Sequence, residues 1–176
     1  MTHIHETTLE PAQFLIENIA LLPIGKALDV AMGAGRNAVY LAKMGFDVEG
    51  IDISVDNIRD ALESAGEAGV TIRTQVVNLE VDYYIREGAY DLIICFNYLQ
   101  RSLIPQIKGG LKEGGIVVYE TYITDQARLF GKPQNPDYLM QHNELLDMFR
   151  DFRCLRYREG VMEDRRAIAG IVAEKI

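Results

Sequence analysis

The sequence predicts an α/β fold: a doubly wound, mostly parallel seven-stranded sheet ending in an antiparallel hairpin, a Rossmann-like arrangement. Three observations carry this expectation. Short apolar runs alternate with amphipathic helical stretches from residue 27 to residue 121, the pattern of successive strand–helix units. The strand-like runs are nearly continuous in apolar residues, as in parallel strands covered on both faces. The last two, 152–157 and 167–173, are separated by only nine residues, where a parallel crossover needs about a dozen or more. They must therefore close as an antiparallel pair.

In chain order, a helical stretch opened by Pro11 runs to Leu22, and we expect it to cap the mouth of the sheet. Strands follow at 27–30, 47–53, 70–77, 91–96 and 116–121, with helices at 35–44, 55–68 and 101–111 and a shorter one at 81–87. Ser54 suits the N-cap of the helix at 55–68, because its hydroxyl can accept from an otherwise unpaired amide of the first turn. A helix over 144–150 precedes the terminal hairpin. The segment 123–140 contains Gly131-Lys132-Pro133 and Asn135-Pro136 and is too long for a simple connection. Such segments serve as lids or binding loops, the alternative being an inert excursion. With 176 residues, 48% of them apolar, the chain buries one core and is too short for two ordinary domains.

A formal net charge of −8 argues against a broad electropositive face, and so against nucleic acid as a partner. Arg150, Arg153, Arg156, Arg158, Arg165 and Arg166 interleave with Asp151, Glu159, Glu163 and Asp164. That pattern reads as a solvated hairpin with cross-strand charge pairs. No window approaches the roughly 18 apolar residues of a membrane span, and the start, MTHIHETTLEPAQ, lacks the basic flank and apolar run of a secretory signal. A cytoplasmic protein with no membrane partner is expected. Cys95 and Cys154 lie outside any Cys-x-x-Cys pattern and read as free thiols. His3-x-His5 with Glu6 has metal-ligand residue types, but so short a terminal cluster is a weak signal. His142 reads as a residue near a helix start, and no metal is expected.

The chemistry concentrates at Asp29-Val30-Ala31-Met32-Gly33-Ala34-Gly35-Arg36, where an apolar strand passes through small residues into a helix. Small residues let the backbone approach a ligand closely, and a helix start offers unpaired amides. Asp52 closes the next strand, 19 residues beyond Gly33, where a carboxylate can accept from both hydroxyls of a ribose. Gly33-x-Gly35-x-x-Ala38 also satisfies the relaxed dinucleotide fingerprint, so the loop alone does not choose a cofactor. Asp29 weighs against a dinucleotide, because a carboxylate there would face a pyrophosphate. The ammonium and sulfonium of S-adenosylmethionine are instead stabilised by it. The alternative for Asp29 is a capping or loop carboxylate with no ligand.

The run 27–54, ALDVAMGAGRNAVYLAKMGFDVEGIDIS, resembles the first two motifs of class I S-adenosylmethionine-dependent methyltransferases. It is close to the branch with tellurite-resistance and thiopurine-type enzymes, and the resemblance continues through 90–122 and 131–159. It implies the fold and S-adenosylmethionine as cofactor. Carried over by position, it places Asp29, Ala31, Gly33 and Gly35 around the methionine moiety, Asp52 on the ribose and Ile53 against the adenine. Asn78 would accept from the adenine amine, with Leu79 following it. Ala31 stands where a glycine is usual and is tolerable only with negative φ. Met32 either narrows the pocket near the sulfonium or packs in the core.

Methyl transfer is an in-line displacement at an already activated carbon, so alignment and exclusion of water are the main tasks. The resemblance puts Phe96 and Tyr98 beside the methyl group and Tyr122 at the end of the fifth strand, where open α/β sheets bind ligands. Tyr98 and Tyr122 are candidates for catalysis and for lining the substrate pocket. Arg101 is a candidate contact for an anionic substrate, or else pairs with a surface carboxylate. Glu120 is the candidate general base for a nitrogen or oxygen nucleophile; a thiol or selenol needs none. The expected organisation is one domain over 1–176. It comprises a cap helix (1–24), a cofactor-binding core (25–122), a lid segment (123–140) and a C-terminal helix and hairpin (141–176). The expected activity is methyl transfer to a small molecule through a sulfur, selenium, tellurium, nitrogen or oxygen nucleophile. A nucleotide-dependent oxidoreductase and a non-catalytic S-adenosylmethionine-binding module or partner subunit are the rivals.

Overall fold

A single seven-stranded sheet runs in the order β3–β2–β1–β4–β5–β7–β6. The computed structural model describes residues 10–81 and 83–176; the expectation for His3, His5 and Glu6 falls outside them. The strands are β1 (Lys26–Val30), β2 (Asp47–Asp52), β3 (Arg73–Val76), β4 (Tyr90–Phe96), β5 (Leu111–Tyr122), β6 (Arg153–Val161) and β7 (Ala167–Glu174). The first five pair in parallel, and β7 lies antiparallel between β5 and β6. The strand order reverses between β1 and β4, which opens a crevice beyond their carboxyl ends.

Helices cover both faces. They are α1 (Gln13–Asn18), α2 (Arg36–Lys43), α3 (Val55–Glu67), α4 (Ile104–Gly110), α5 (Thr124–Phe130) and α6 (Glu144–Met148). Successive side chains of a strand point to opposite faces, so a doubly covered strand needs apolar residues throughout. In β4, Ile93 and Cys95 join the face packed by Ile104, Ile107, Leu145 and Phe149. Leu92, Ile94 and Phe96 join the other, with Phe14, Leu15, Ala38, Leu41, Ile58 and Ala61. Ser54 caps α3 as its sequence position predicts, its hydroxyl accepting from the Asn57 amide at 3.2 Å.

Four expectations are corrected. The segment 81–87 shows no helix among its described residues. Of its described residues only Ile85 is buried, while Val81 and Tyr84 are largely exposed. Its backbone instead bonds to Gln106 through the Ile85 amide, and the Gly88 and Ala89 amides bond to the carbonyls of Gly109 and Gly110. The segment 123–140 is partly helical, since α5 occupies 124–130, and its base is pinched by an isolated bridge between Ile123 and Met140. Ala31 has φ +54°, left-handed rather than negative. The arginine-rich hairpin is only partly solvated: Arg153 does pair across the strands with Glu174 at 3.8 Å, but Arg158 and Arg166 turn inward to Glu120.

Candidate active site

A cleft of about 1170 Å³ opens at the carboxyl ends of β1, β4 and β5, with Asp29, Ala31, Met32, Gly33 and Ala34 along one wall. Glu10 to Gln13, leading into α1, form its rim, and Phe96, Asn97, Tyr122, Asp164 and Arg166 line the far side. The rim is fastened to α2, because the Ala12 amide donates to Asn37 Oδ1 at 2.8 Å and Arg36 Nη1 to the Glu10 carbonyl at 3.3 Å.

The turn after β1 is stitched to β2. The Met32 amide donates to the Ile51 carbonyl at 2.9 Å and the Gly33 amide to Asp52 Oδ2 at 2.8 Å. Gly33 and Gly35 have φ +61° and +84°, and a Cβ at Gly33 would meet nothing within 4 Å. The constraint at Gly33 is therefore backbone conformation, not space. Ala31 adopts the same left-handed region with a side chain, a strain of roughly 1–2 kcal/mol. Met32 is buried and its thioether covers Gly50 of β2, so it packs in the core while also bordering the cleft.

Asp52 is 7% exposed. Besides the Gly33 amide, its carboxylate accepts from the Ser54 amide at 2.9 Å and Asn57 Nδ2 at 3.1 Å. A carboxylate has about four acceptor positions, so about one remains for a ligand in this arrangement.

Asp29 differs. It is 2% exposed, and its Oδ2 has no hydrogen-bond partner. Burial pushes its carboxyl up to about 8, opposed by the Arg36 charge and the Ala38 amide and reinforced by Asp52. An unpartnered buried oxygen beside an open cleft is costly unless something binds it. A cationic, hydrogen-donating group would both satisfy that oxygen and favour the ionised form of the carboxyl.

On the adenine side, Ile53 is 66% exposed, Leu79 is buried, and Asn78 Oδ1 accepts from the Glu80 amide at 3.0 Å. These three residues stand at neighbouring strand ends, outside the lining of the cleft.

The opposite side departs most from expectation. Tyr98 donates to Gln100 Oε1 at 2.7 Å, and burial pushes its phenol up to about 12. Arg101 forms a fork with Glu144 (2.5 and 3.0 Å) and donates to the carbonyls of Asp137 and Leu139. Its guanidinium therefore straps the 131–140 segment. Glu120 is 1% exposed and accepts from Arg158 Nη2 at 2.7 Å and Arg166 Nη1 at 3.3 Å. Of the candidates on this side, Phe96 and Tyr122 reach the cleft. Tyr122 also borders a second hollow of about 550 Å³ with Lys132, Pro133 and Gln134. Arg158, Arg166 and Lys132 were not singled out from the sequence as site residues. The arginine excess was visible there, but not its inward direction.

Residues 2–170 match the family described as "Tellurite resistance protein TehB". A protein of Haemophilus influenzae named "Probable S-adenosyl-L-methionine-dependent methyltransferase TehB" is 29% identical over 146 residues, covering 78% of this chain and 49% of its own. A "Ubiquinone biosynthesis O-methyltransferase" of Colwellia psychrerythraea is 28% identical over 133 residues, or 67% of this chain and 54% of its own. The chain thus spans about half the length of these curated relatives. Among solved structures, TehB from Haemophilus influenzae superposes with a TM-score of 0.77 at 23% identity, covering 92% of this chain and 61% of that one.

Proposed function

The chain belongs to the tellurite resistance protein TehB family, and on that premise we propose that it is an S-adenosylmethionine-dependent methyltransferase acting on a small anionic acceptor. The observation that carries the reading is Asp29, a buried carboxylate whose Oδ2 lacks a partner beside the glycine turn. It suits an ammonium, and it argues against the oxidoreductase alternative, whose pyrophosphate would meet this carboxylate.

S-adenosylmethionine, when bound, supplies an electrophilic methyl group on a sulfonium. Asp29 would hold its ammonium, the Ala31–Gly35 turn its methionine moiety, and Asp52 one ribose hydroxyl through its remaining acceptor position. Ile53, Asn78 and Leu79 would form the adenine side, and Phe96 would exclude water near the reacting atoms. The rim from Glu10 to Gln13 narrows access from solvent.

The acceptor's charge is read from the far wall, where Arg166 lines the cleft and Lys132 borders the hollow that shares Tyr122. Asp164 and Glu120 already pair with Arg166, but its Nη2 has no partner among the described residues, and together with Lys132 that group supports an oxyanion or carboxylate acceptor. Tellurite, the oxyanion in the family's name, is the acceptor to test first. Such an acceptor presents its own lone pair to the methyl carbon, so no protein base is needed.

The test has two parts. S-adenosylhomocysteine at about 100 times its dissociation constant should raise folding stability by about 2.7 kcal/mol, and NAD by almost nothing. Incubation with S-adenosylmethionine and tellurite should then release S-adenosylhomocysteine catalytically. Stabilisation by NAD alone overturns the cofactor assignment; binding without turnover across anionic acceptors points to the non-catalytic module.

A further inference from the structure

Glu120 lies near the end of β5 with both carboxylate oxygens held by guanidinium groups, and it is not among the residues lining the cleft. A base needs a free lone pair within reach of the proton it takes. What Glu120 has instead is two arginines with different surroundings. Arg166, also paired with Asp164 at 2.7 Å, faces the cleft. Arg158 faces the other way: its guanidinium carbon lies 4.5 Å from the ring centroid of Phe14 in α1, and its Nη1 is 3.7 Å from Glu17.

A separate observation indicates that this junction has been cleared of other atoms. Gly170, on β7 opposite Glu120, has no Cβ, and one placed there would lie 3.1 Å from Phe14 Cε1 and 3.3 Å from Glu120 Oε2. Both contacts are tight enough that the aromatic ring or the carboxylate would have to give way. The absent methyl makes room for the contact between α1 and the arginine pair.

We infer that Glu120 is a positioning residue: it aims Arg166 at the acceptor and, through Arg158 and Phe14, ties that contact to the N-terminal cap α1. The inference rests on the reading that Arg166 meets an anionic acceptor. Its structural content is that the rim, formed by the residues leading into α1, and the acceptor arginine share one carboxylate. Loosening Glu120 should therefore disturb both, while Asp29 on β1 and the glycine turn that follows it keep their geometry.

The test compares Glu120→Gln, Gly170→Ala and Arg166→Gln in the full chain. It uses tellurite kinetics at saturating S-adenosylmethionine, calorimetry with S-adenosylhomocysteine, and amide hydrogen exchange across 13–18. Arg166→Gln should raise KM for tellurite about tenfold or more and leave exchange in α1 unchanged. Glu120→Gln should raise KM comparably and also speed exchange in α1. Gly170→Ala, which retains every charged group, should do both to a smaller degree. S-adenosylhomocysteine affinity should stay within about threefold in all three. A Glu120→Gln variant with unaltered KM whose kcat falls and loses its pH dependence makes Glu120 the base and overturns the inference. Unchanged exchange in α1 in both Glu120→Gln and Gly170→Ala overturns it too. A parent that neither binds nor methylates tellurite removes the acceptor reading, and the exchange data then still decide whether Glu120 ties α1 to the hairpin.

Discussion

The two sides of the cleft are built by different means. The glycine turn of the cofactor side is built mainly of backbone: a left-handed turn whose amides bond to β2 and to Asp52, with its bonded groups between Asp29 and Asn57. The side proposed to meet the acceptor is made of long side chains gathered from distant segments. Arg158 lies 38 residues and Arg166 46 residues from Glu120, and Arg101 reaches 43 residues to Glu144. The first design would hold S-adenosylmethionine with little side-chain entropy to lose on binding. The second uses residues exchangeable without altering the sheet, which suits a side that must vary with the acceptor.

The largest expected effect breaks the acceptor side. Glu120→Ala leaves two inward-turned guanidinium groups without their shared carboxylate, and removing one partner of a buried ionic group typically costs about 3–5 kcal/mol. Urea denaturation should show that loss, while the remaining folded protein binds S-adenosylhomocysteine within about threefold of the parent. A loss under about 1 kcal/mol would mean that the arginines are as well solvated as the sequence pattern suggested.

Asp29→Asn is the matching test of the cofactor side, and stability and binding should move in opposite directions. Affinity for S-adenosylhomocysteine should fall about 100-fold, since the ammonium loses its charged acceptor. Stability without cofactor should rise. In the folded parent burial holds this carboxyl at about 8, against 3.8 for the free group. Its contribution is therefore complete below pH ~4, declines as pH rises toward ~8, and is level above that. The variant lacks the decline, so its advantage should grow across that window to roughly 2–4 kcal/mol. Denaturation of both proteins at pH 5 and pH 8 measures it. An advantage independent of pH would mean that Asp29 is ionised in the cofactor-free protein.

These contrasts also explain what was legible in the sequence. The strands, the order implied by the closing hairpin, the Ser54 cap and the turn with its two acids are local patterns, fixed by spacing within a few tens of residues. The structure has each of them at these positions, with β3 shorter (Arg73–Val76) and β5 and β6 longer (Leu111–Tyr122 and Arg153–Val161) than the pattern gives. The sequence offers Glu120 as a base because it lies near a strand end at the correct edge, yet its partners sit on β6 and just ahead of β7, and no local spacing announces a contact across 38 or 46 residues. The sequence leaves Arg101 between a substrate contact and a pair with a carboxylate, and its fork with Glu144 is the second of these. The segment 81–87 has helix-forming residues, and tertiary bonds to Gln106 and to the end of α4 displaced that preference.

Asp52→Ala should have an intermediate effect that blurs the comparison, because Asp52 serves the turn as well as the ligand. Three hydrogen bonds disappear at once. Folding stability should fall by about 2 kcal/mol and S-adenosylhomocysteine should bind roughly 10- to 100-fold more weakly. Asp52→Asn retains one acceptor oxygen and should lose less of both. A variant that lost stability alone would make Asp52 purely a turn residue.

The smallest expected effect is also the sharpest probe of the turn. Ala31 occupies a left-handed conformation at φ +54°, where an L side chain costs roughly 1–2 kcal/mol. Ala31→Gly removes that strain but adds freedom to the unfolded chain worth about 0.4–1 kcal/mol. The two effects oppose each other, so the net gain should be only about 0.5–1 kcal/mol, read as a small rise in the denaturation midpoint at unchanged slope. Affinity for S-adenosylhomocysteine should hold within about threefold, because the substitution leaves the Gly33 amide on Asp52 and the Met32 amide on Ile51. A gain in stability accompanied by a tenfold loss of affinity would show that the alanine methyl, not only the backbone beneath it, touches the cofactor. A loss of stability would show that this turn relaxes to negative φ at Ala31 in solution, and the backbone description of the cofactor side would then have to be rebuilt from Asp29 outward.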